Sequence, residues 1–412
     1  MKILQCHKFY YPSGGAERYF IDLCDSLSRE GHKVIHFSTL NDNNLPSAYS
    51  RYFVDTVGIS DHHKNNFFTK IKTALKFIYS FDSRRKIKEL VTEFNPEIAH
   101  IHNIYHHLSS SILDELYIRK IPVVMTVHDY KLVCPDYLLF RRGNICEECK
   151  GDKYFRAVIN RCVKNSYLAS SVACLEMYFC RLLKKYTRSV NIFIAPSIFV
   201  KKKLIKFGLP EDKIYYLPHP INLQDAKPNF NVGRYILYYG RLAPEKGIES
   251  LLKSQRFFPN IPMKIVGDGP QKNKLRQIIK RERLHNVELL GYKSDDELLD
   301  LIKNAALVVV PSVWPEVSGL VIYEAFALGK CVIASNIGGI PELVNDRVNG
   351  LLFSPGNYKQ LADKIKYLIG NPEKIKNYGL NGFNKIRQFN SQFEHNQHLL
   401  NIYKMAIDGR HS

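Results

Sequence analysis

Residues 311–335 read PSVWPEVSGLVIYEAFALGKCVIAS and follow a short apolar run, Ala306–Val310. This pattern predicts a buried strand, a proline-broken loop and a helix, with Glu316 in the loop and Glu324 further along on the helix. Two carboxylates at the mouth of a helix suit a polyhydroxy ligand, because carboxylates accept strong hydrogen bonds from hydroxyl groups. The alternative for Glu316 is a simple helix N-terminal position, where acidic side chains are common.

A second predicted strand end carries two cations. The segment YYGRLAPEKG, residues 238–247, ends the predicted strand 235–239 and places Arg241 and Lys246 ahead of a helix. Open α/β sheets bind ligands at the carboxyl ends of their strands. An Arg and a Lys at that edge can neutralise a diphosphate without a metal ion, although single cations in loops are usually only solvated.

Glycine-containing loops follow two more predicted strands. VGDGP at 266–270 supplies Gly267 and Asp268, and SNIGGIPELV at 335–344 supplies a Gly-Gly pair. Glycine lets a backbone approach a ligand closely, but each loop is also compatible with a simple tight turn.

These motifs resemble the donor half of the retaining group-1 glycosyltransferases of GT-B fold, a family 4-like group. The resemblance covers residues 235–350 and implies that this part of the chain binds a nucleotide-diphosphate sugar. The implied contacts are the diphosphate with Arg241 and Lys246, the ribose with Glu324, and the transferred sugar with Glu316 and the backbone of Gly319 and Leu320. Gly267 and Asp268 are further candidates on the donor side.

Length and pattern predict two domains. A chain of 412 residues with 45% hydrophobic and 24% charged content exceeds the size at which one core keeps growing. Short apolar runs alternate with helical patterns in both halves, which predicts an α/β fold of two Rossmann-like doubly wound domains facing a cleft. A proline-rich seam divides an acceptor-side domain, 1–225, from a donor domain, 226–390. A last helix in 391–412 is expected to pack back on the first domain.

The N-terminal half carries its own ligand motif. YYPSGGAERYF, residues 10–20, places Gly14 and Gly15 at the start of a helix, where unpaired N–H groups form an anion site. Its resemblance to the family's GGAE motif implies that both glycines face the donor diphosphate. His128 follows the predicted strand 123–127, and the resemblance implies a contact with the donor sugar near the reacting carbon. A capped turn is the alternative for His128.

Four of the nine cysteines, Cys134, Cys146, Cys149 and Cys162, lie in one insertion, 134–162. Their spacing contains a Cys-x2-Cys knuckle with two flanking thiols, and four thiolates can bind zinc tetrahedrally. A structural zinc site is therefore one hypothesis, and disulfides or packed free thiols are the alternatives. A reducing cytoplasm disfavours disulfides. No cofactor is expected to be required for the catalysis itself.

A group of histidines follows the predicted strand 98–101, in HIHNIYHHLS. Its members are His100, His102, His106 and His107. No carboxylate accompanies them at the spacing of a helical metal site, so acceptor binding or packing is expected rather than metal binding.

Part of the formal charge of +20 comes from one segment, residues 177–210, which contains eight Lys or Arg and no Asp or Glu. With interleaved aromatic and leucine side chains, this run suits an anionic membrane surface, and a second basic run, 70–88, could add to it. A solvated helix face is the alternative. No base-reading motif is present, so no specific nucleic acid partner is expected. The sequence contains no apolar run of about 18 residues, the length that a membrane-spanning helix needs. We therefore expect a cytoplasmic protein, and we expect any membrane association to be peripheral, at the inner face of the plasma membrane.

The resulting hypothesis is a retaining glycosyltransferase that moves a sugar from a nucleotide-diphosphate sugar to a hydroxyl of a saccharide or lipid-linked saccharide acceptor. Capsule, exopolysaccharide or lipopolysaccharide assembly is the expected setting. The resemblance implies front-face attack, in which the departing phosphate helps to deprotonate the acceptor. Two alternatives are a nucleotide-sugar epimerase of GT-B fold and a non-catalytic nucleotide-sugar-binding scaffold.

Overall fold

The computed structural model describes residues 1–56, 67–220, 227–293, 295–388 and 391–409. Its strands are β1 Lys2–Cys6, β2 Lys33–Phe37, β3 Ile98–Ile101, β4 Val123–Thr126, β5 Phe140–Arg141, β6 Asn144–Ile145, β7 Ile192–Ala195, β8 Ile214–Tyr216, β9 Ile236–Tyr239, β10 Met263–Val266, β11 Val287–Gly291, β12 Leu307–Val310, β13 Cys331–Ser335 and β14 Gly350–Phe353. Its helices are α1 Gly15–Arg29, α2 Phe67–Ile78, α3 Phe81–Phe94, α4 Ser111–Ile118, α5 Phe155–Ile159, α6 Tyr167–Leu182, α7 Lys185–Ser189, α8 Ile198–Lys206, α9 Ile248–Ser254, α10 Lys272–Arg281, α11 Asp295–Lys303, α12 Leu320–Ala327, α13 Ile340–Leu343, α14 Tyr358–Ile369, α15 Pro372–Ile386 and α16 Gln392–Asp408.

Ten strand pairings are parallel and build two six-stranded sheets. The first sheet has the order β2-β1-β3-β4-β7-β8 and the second β11-β10-β9-β12-β13-β14. Helices cover both faces of a parallel sheet, which is why its central strands are continuous apolar runs instead of alternating ones. β4, β7, β9 and β12 are buried at every position. The predicted pair of Rossmann-like doubly wound domains is confirmed.

Each sheet has a point where the strand order reverses. β1 lies between β2 and β3, and β9 lies between β10 and β12. At such a point neighbouring connections leave toward opposite faces, so a crevice opens beyond the carboxyl ends of the strands. The loops after β1 and β3 and the loops after β9 and β12 therefore occupy the positions where a ligand binds.

The last helix, α16, lies against the first domain, where it packs on α1 and β4. Ser391 and Glu394 form a capping box that starts it. Leu399 and Tyr403 are fully buried in the same core cluster as Phe20 of α1. The N-terminal half thus completes one face of its core with residues from the far end of the chain.

Residues 134–162 form a small subdomain between β4 and α6. It contains the antiparallel hairpin β5–β6 and the short helix α5, which packs on α6. The predicted boundary between residues 225 and 226 lies outside the described residues. Across the described ranges, no helix combines the length and apolar character that a membrane crossing requires.

Candidate active site

Lys246 and Glu316 form an ion pair at the reversal point of the second sheet. Lys246 Nζ donates to Glu316 Oε1 at 2.7 Å, and Ser312 Oγ donates to the same oxygen. Glu316 is buried, and Lys246 Nζ lies 5.4 Å from the centre of the Trp314 ring. The loop after β9 therefore presents a cation, and the loop after β12 presents the carboxylate that is hydrogen-bonded to it.

Gly247 makes this approach possible. Its φ of +67° is in the left-handed region, and a Cβ there would lie 2.0 Å from the Pro311 carbonyl oxygen. Only glycine lets the turn that carries Lys246 pack this closely on the loop that carries Glu316.

The predicted Gly-Gly pair of SNIGGIPELV holds Glu316 from the other side. A Cβ on Gly338 would lie 2.5 Å from Glu316 N, and Gly339 N donates to the Glu316 carbonyl at 2.8 Å. These glycines thus support the backbone of the carboxylate loop.

Arg241 lies at the same sheet edge as Lys246 but is more exposed. Its guanidinium pairs with Glu245, four residues later. The neighbouring loop packs on the residues that flank Arg241: a Cβ on Gly267 would lie 2.0 Å from the Gly240 carbonyl oxygen, and Leu242 N donates to the Asp268 carbonyl at 2.8 Å. Gly267 is therefore needed for loop contact.

The Asp268 carboxylate points to its own helix. It accepts from Lys272 Nζ at 2.5 Å and from Gly269 N at 2.7 Å. These two donors lower the pKa of Asp268, so the exposed side chain stays ionised at the start of α10.

Glu324 of α12 lies beside Tyr239, the last residue of β9. Burial raises the pKa of the Tyr239 phenol, Glu324 raises it further, and the charge of Arg18 opposes both. Arg18 belongs to α1 in the N-terminal half, so its influence on Tyr239 reaches across the cleft. Arg18 was not predicted as a site residue, although it follows the GGAE sequence directly in the first turn of that helix.

Two helix N-termini meet at the cleft. Gly14 is the N-cap of α1 and Gly319, with φ +76°, is the N-cap of α12; neither has a side-chain cap. A Cβ on Gly15 would lie 2.9 Å from Leu320 Cδ1. Unpaired N–H groups from both halves therefore converge, and each helix N-terminus attracts negative charge.

His128 follows β4 and is half-buried. Its Nε2 lies 2.9 Å from His102 Nδ1, and its ring stacks on His219 with centroids 5.7 Å apart. Burial, followed by the neighbouring His219 and His7, holds the pKa of His128 well below its usual range. The imidazole is therefore neutral at physiological pH.

Contacts between the halves fix the His128 loop against the Glu316 loop. Tyr130 Oη donates to the Pro315 carbonyl at 2.8 Å, and Trp314 Nε1 donates to the Leu138 carbonyl at 2.5 Å. Tyr130 is two residues after His128 and Pro315 is one residue before Glu316. The structure thus brings the predicted site residues of both halves to one cleft.

The four insertion cysteines line one pocket together with Asp136. Cys134 Sγ donates to Asp136 Oδ1 at 2.9 Å, and all four thiols are free. Burial raises the pKa of Cys149 to about 12. Within the part of the chain that the structure describes, no three His, Cys, Asp or Glu side chains have the geometry of a metal site. Zinc stays a prediction, and it requires the thiols to draw together as they lose protons to the metal.

The four histidines in and after β3 pack in different ways, and His106 and His107 are only half-buried. His106 stacks on Phe77 with ring centroids 3.8 Å apart, and His107 lies 5.3 Å from the ring of Phe9. His100 and His102 are fully buried and hydrogen-bonded.

Two facing Rossmann-like domains, with a cation–carboxylate pair and two helix N-termini at the cleft, define the GT-B class of fold. Residues 13–225 match the family model described as Glycosyltransferase Family 4, and residues 222–385 match the one described as Glycosyl transferases group 1. The chain belongs to glycosyltransferase family 4, within the group-1 glycosyltransferases.

Known proteins agree with that assignment. The O-antigen chain mannosyltransferase C of Escherichia coli is 23% identical over 419 residues, which cover 100% of both chains. The uncharacterized glycosyltransferase MJ1178 of Methanocaldococcus jannaschii is 34% identical over 178 residues, 43% of this chain and 49% of that protein's length. The crystal structure of Anabaena Alr3699/HepE in complex with UDP has a TM-score of 0.69 at 19% identity, covering 98% of this chain and 100% of that one. That structural likeness shows the fold.

Proposed function

We propose that this glycosyltransferase moves a sugar, with retention of anomeric configuration, from a nucleotide-diphosphate sugar to a hydroxyl of a saccharide in cell-surface polysaccharide synthesis. The observation that carries the proposal is the Lys246–Glu316 pair, because it joins a cation for phosphate and an acceptor for sugar hydroxyls at one sheet edge. The full-length relative that acts on an O-antigen chain supports a polysaccharide acceptor. The UDP bound in a protein of the same fold supports a nucleotide-sugar donor.

In the proposed reaction, the diphosphate lies between Arg241 and Lys246 and the N-terminus of α1 at Gly14 and Gly15. The bond between the anomeric carbon and the phosphate oxygen breaks, and a bond from that carbon to the acceptor oxygen forms on the same face. The acceptor proton passes to the departing phosphate. Positive charge at the phosphate stabilises the leaving group as it develops, so this scheme uses no divalent metal.

We assign the ribose and the transferred sugar of the donor to the two carboxylates and the neutral imidazole. Glu324 would hold the ribose, and Glu316 with the backbone of Gly319 and Leu320 would hold the transferred sugar. His128 would contact the same sugar from the opposite half of the cleft. Glu316 then has two tasks, because the same carboxylate orients Lys246.

A surface on the N-terminal half favours a lipid-linked acceptor. Leu168, Leu175 and Leu182 repeat every seven residues along α6 and are 67%, 58% and 78% exposed. Exposed basic residues lie near both ends of α6, and thus of this leucine stripe, in the sequence: Arg161, Lys164, Arg181, which pairs with Asp152, and Lys184. Exposed leucines flanked by cations suit an anionic bilayer, which attracts each Lys or Arg by about 1 kcal/mol. We place the protein in the cytoplasm at the inner face of the plasma membrane, where reducing conditions keep its nine cysteines as thiols.

The test is incubation of the full chain with a panel of nucleotide sugars, with and without saccharide acceptors. Transfer to an acceptor with the anomeric configuration retained is the expected result. Conversion of the free donor without acceptor would indicate the epimerase, and binding without turnover would indicate the scaffold. Product with inverted configuration would overturn the retaining mechanism.

A further inference from the structure

A line of buried hydrogen bonds runs from the seam between the two halves to His128. Its members, in order, are Pro218, His395, Tyr19, Thr126, His100, Tyr403, Gln5, His102 and His128. The side chains come from β1, α1, β3, β4 and α16, and apart from the half-buried His128 they are buried. Seven of its eight links are hydrogen bonds of 2.7 to 3.3 Å. At the eighth, the Thr126 hydroxyl acts on Tyr19 as a donor that opposes the burial-raised pKa of the phenol. We call this line the Pro218–His128 relay.

The direction of the relay is set at Pro218, because a carbonyl oxygen can only accept. His395 Nδ1 lies 3.0 Å from that oxygen and must carry the proton. Burial lowers the pKa of His395 to about 3, so the ring is neutral and its Nε2 has only a lone pair. Tyr19 Oη, 3.0 Å from that Nε2, therefore donates to it. Because its single proton is used, Tyr19 accepts from Thr126.

The middle of the relay is assigned in the same way, with each donor fixed by the bond before it. The Thr126 hydroxyl proton goes to Tyr19, so Thr126 Oγ1 accepts from His100 Nε2 at 2.8 Å. The pKa of His100 is lowered to about 3 by burial, which leaves Nδ1 unprotonated. Tyr403 Oη then donates to His100 Nδ1 at 2.7 Å and accepts from Gln5 Nε2 at 3.3 Å.

The orientation of the Gln5 amide decides which ring nitrogen carries the proton in the last two histidines, His102 and His128. With its nitrogen on Tyr403, its Oε1 faces His102 Nε2 at 3.0 Å and can only accept, so His102 Nε2 carries a proton. Burial keeps the pKa of His102 well below its usual range, and its Nδ1 is therefore a lone pair. That lone pair accepts from His128 Nε2 at 2.9 Å.

We infer that the Pro218–His128 relay holds His128 in its Nε2–H tautomer, so that His128 Nδ1 is a fixed hydrogen-bond acceptor for the donor sugar. Among the described residues, the hydrogen bond of the His128 ring is made by Nε2, and the residue is only half-buried, which leaves Nδ1 for a ligand. Gln5, His102 and Tyr403 are positioning residues, since they act on the sugar only through His128. The sugar contact rests on the proposed function, but the tautomer does not.

This tautomer has a consequence for recognition. A neutral Nδ1 accepts a hydroxyl proton and repels a carbonyl or carboxylate oxygen. The site therefore selects a donor sugar with a free hydroxyl at the position that faces His128, and disfavours one that carries a carboxylate there.

The test is nitrogen-15 NMR of the full chain with labelled histidine, in which the two ring nitrogens of each tautomer have distinct shifts. The His128 signals are identified by their loss in His128→Asn. The expected result is a protonated Nε2 and a bare Nδ1. A bare Nε2 in the wild-type protein overturns the inference whatever the enzyme's activity.

Tyr403→Phe tests the relay itself, because it removes the hydroxyl that orients Gln5. The amide can then turn over, and we expect a second His128 tautomer and a fall in kcat of roughly tenfold or more, with a smaller change in acceptor KM. Gln5→Leu is the second variant and should have the same NMR effect. Ser26→Ala is the matched control, since it removes a hydroxyl that bonds α1 to Asn396 of α16 at 3.0 Å outside the relay.

The outcomes separate the two ideas. An unchanged His128 tautomer in both folded variants overturns the relay. A changed tautomer with unchanged turnover supports the relay and counts against the proposed sugar contact of His128.

Discussion

Gly15 and Leu320 meet across the cleft, so that a methyl group on Gly15 would lie 2.9 Å from Leu320 Cδ1. Each residue stands at the first position of its helix, one in each half of the chain. The contact links the two segments that the resemblance assigns to the donor diphosphate and the transferred sugar. Because Gly15 has no side chain, the two helix N-termini can approach this closely.

Gly15→Ala should slow sugar transfer by about fivefold, because the new methyl group meets the end of the flexible Leu320 side chain, which can turn aside at a cost of about 1 kcal/mol, the low end of the range for overpacking. The measurement is kcat/KM for donor and acceptor. Leu320→Ala combined with Gly15→Ala should recover much of the loss, since it removes the atom that the new methyl group meets. A double variant as slow as the single one would argue against this contact.

Lys246→Ala should lower turnover about a hundredfold, since one lost charged donor at a leaving group costs roughly 3 kcal/mol. Arg241→Ala should also lower turnover, but by less, because the Arg241 side chain is 62% exposed and that of Lys246 only 25%. Lys253→Ala, an exposed cation on the following helix, is the control and should behave as the wild type. Near-normal rates in Lys246→Ala would refute the assignment to the diphosphate.

Metal analysis of the full chain, purified without chelator, tests the insertion. We expect about one zinc per chain, because four thiols line a single pocket. Cys149→Ser should lose that zinc and destabilise the subdomain, whereas Cys331→Ala, a buried thiol in the other half, should keep it. Wild-type protein without zinc would leave packed free thiols as the explanation.

Sedimentation with anionic vesicles tests the leucine stripe. Leu175→Glu should release the protein from vesicles, because it removes apolar contact and adds a charge of the wrong sign. Leu380→Glu makes the same change at a half-exposed leucine of the other half and should have no effect. Equal release by both variants, or no binding by the wild type, would contradict the membrane assignment.

The buried histidines make stability depend on pH. Burial lowers the pKa of His7 and His100 to about 3 and that of His219 to about 4. The unfolded chain therefore binds more protons than the folded one between about pH 6.5 and these values, so the free energy of unfolding falls as pH falls through that window. The slope should approach about 1.4 kcal/mol per pH unit for each histidine. Urea unfolding at several pH values should show a shallower slope for His100→Asn than for wild type, with exposed His285→Asn as the control.

Local pattern was enough to predict much of the fold. The predicted strand 123–127 agrees with β4 to one residue, and the last helix predicted in 391–412 is α16, Gln392–Asp408. Buried parallel strands need unbroken apolar runs, and few other structures tolerate them, so these segments are identified by composition alone.

The relationships within the site could not be predicted in the same way. Lys246 and Glu316 are 70 residues apart, and nothing in either motif shows that Glu316 accepts a hydrogen bond from Lys246. His100 lies in β3 and His102 directly after it, yet His100 bonds to Tyr403 and His102 to His128, because the last helix inserts beside them. Long-range packing decides such pairs, and a single sequence carries no local signal for it.

The burial of Leu399 and Tyr403 in the first half of the molecule also sets an order of events in biosynthesis. A ribosome releases the N-terminal sheet early, but that sheet lacks part of its core until α16 has emerged. The N-terminal half is therefore synthesised first but completed last, and a translation product that ends before Gln392 would be defective in the N-terminal half although the missing residues are C-terminal.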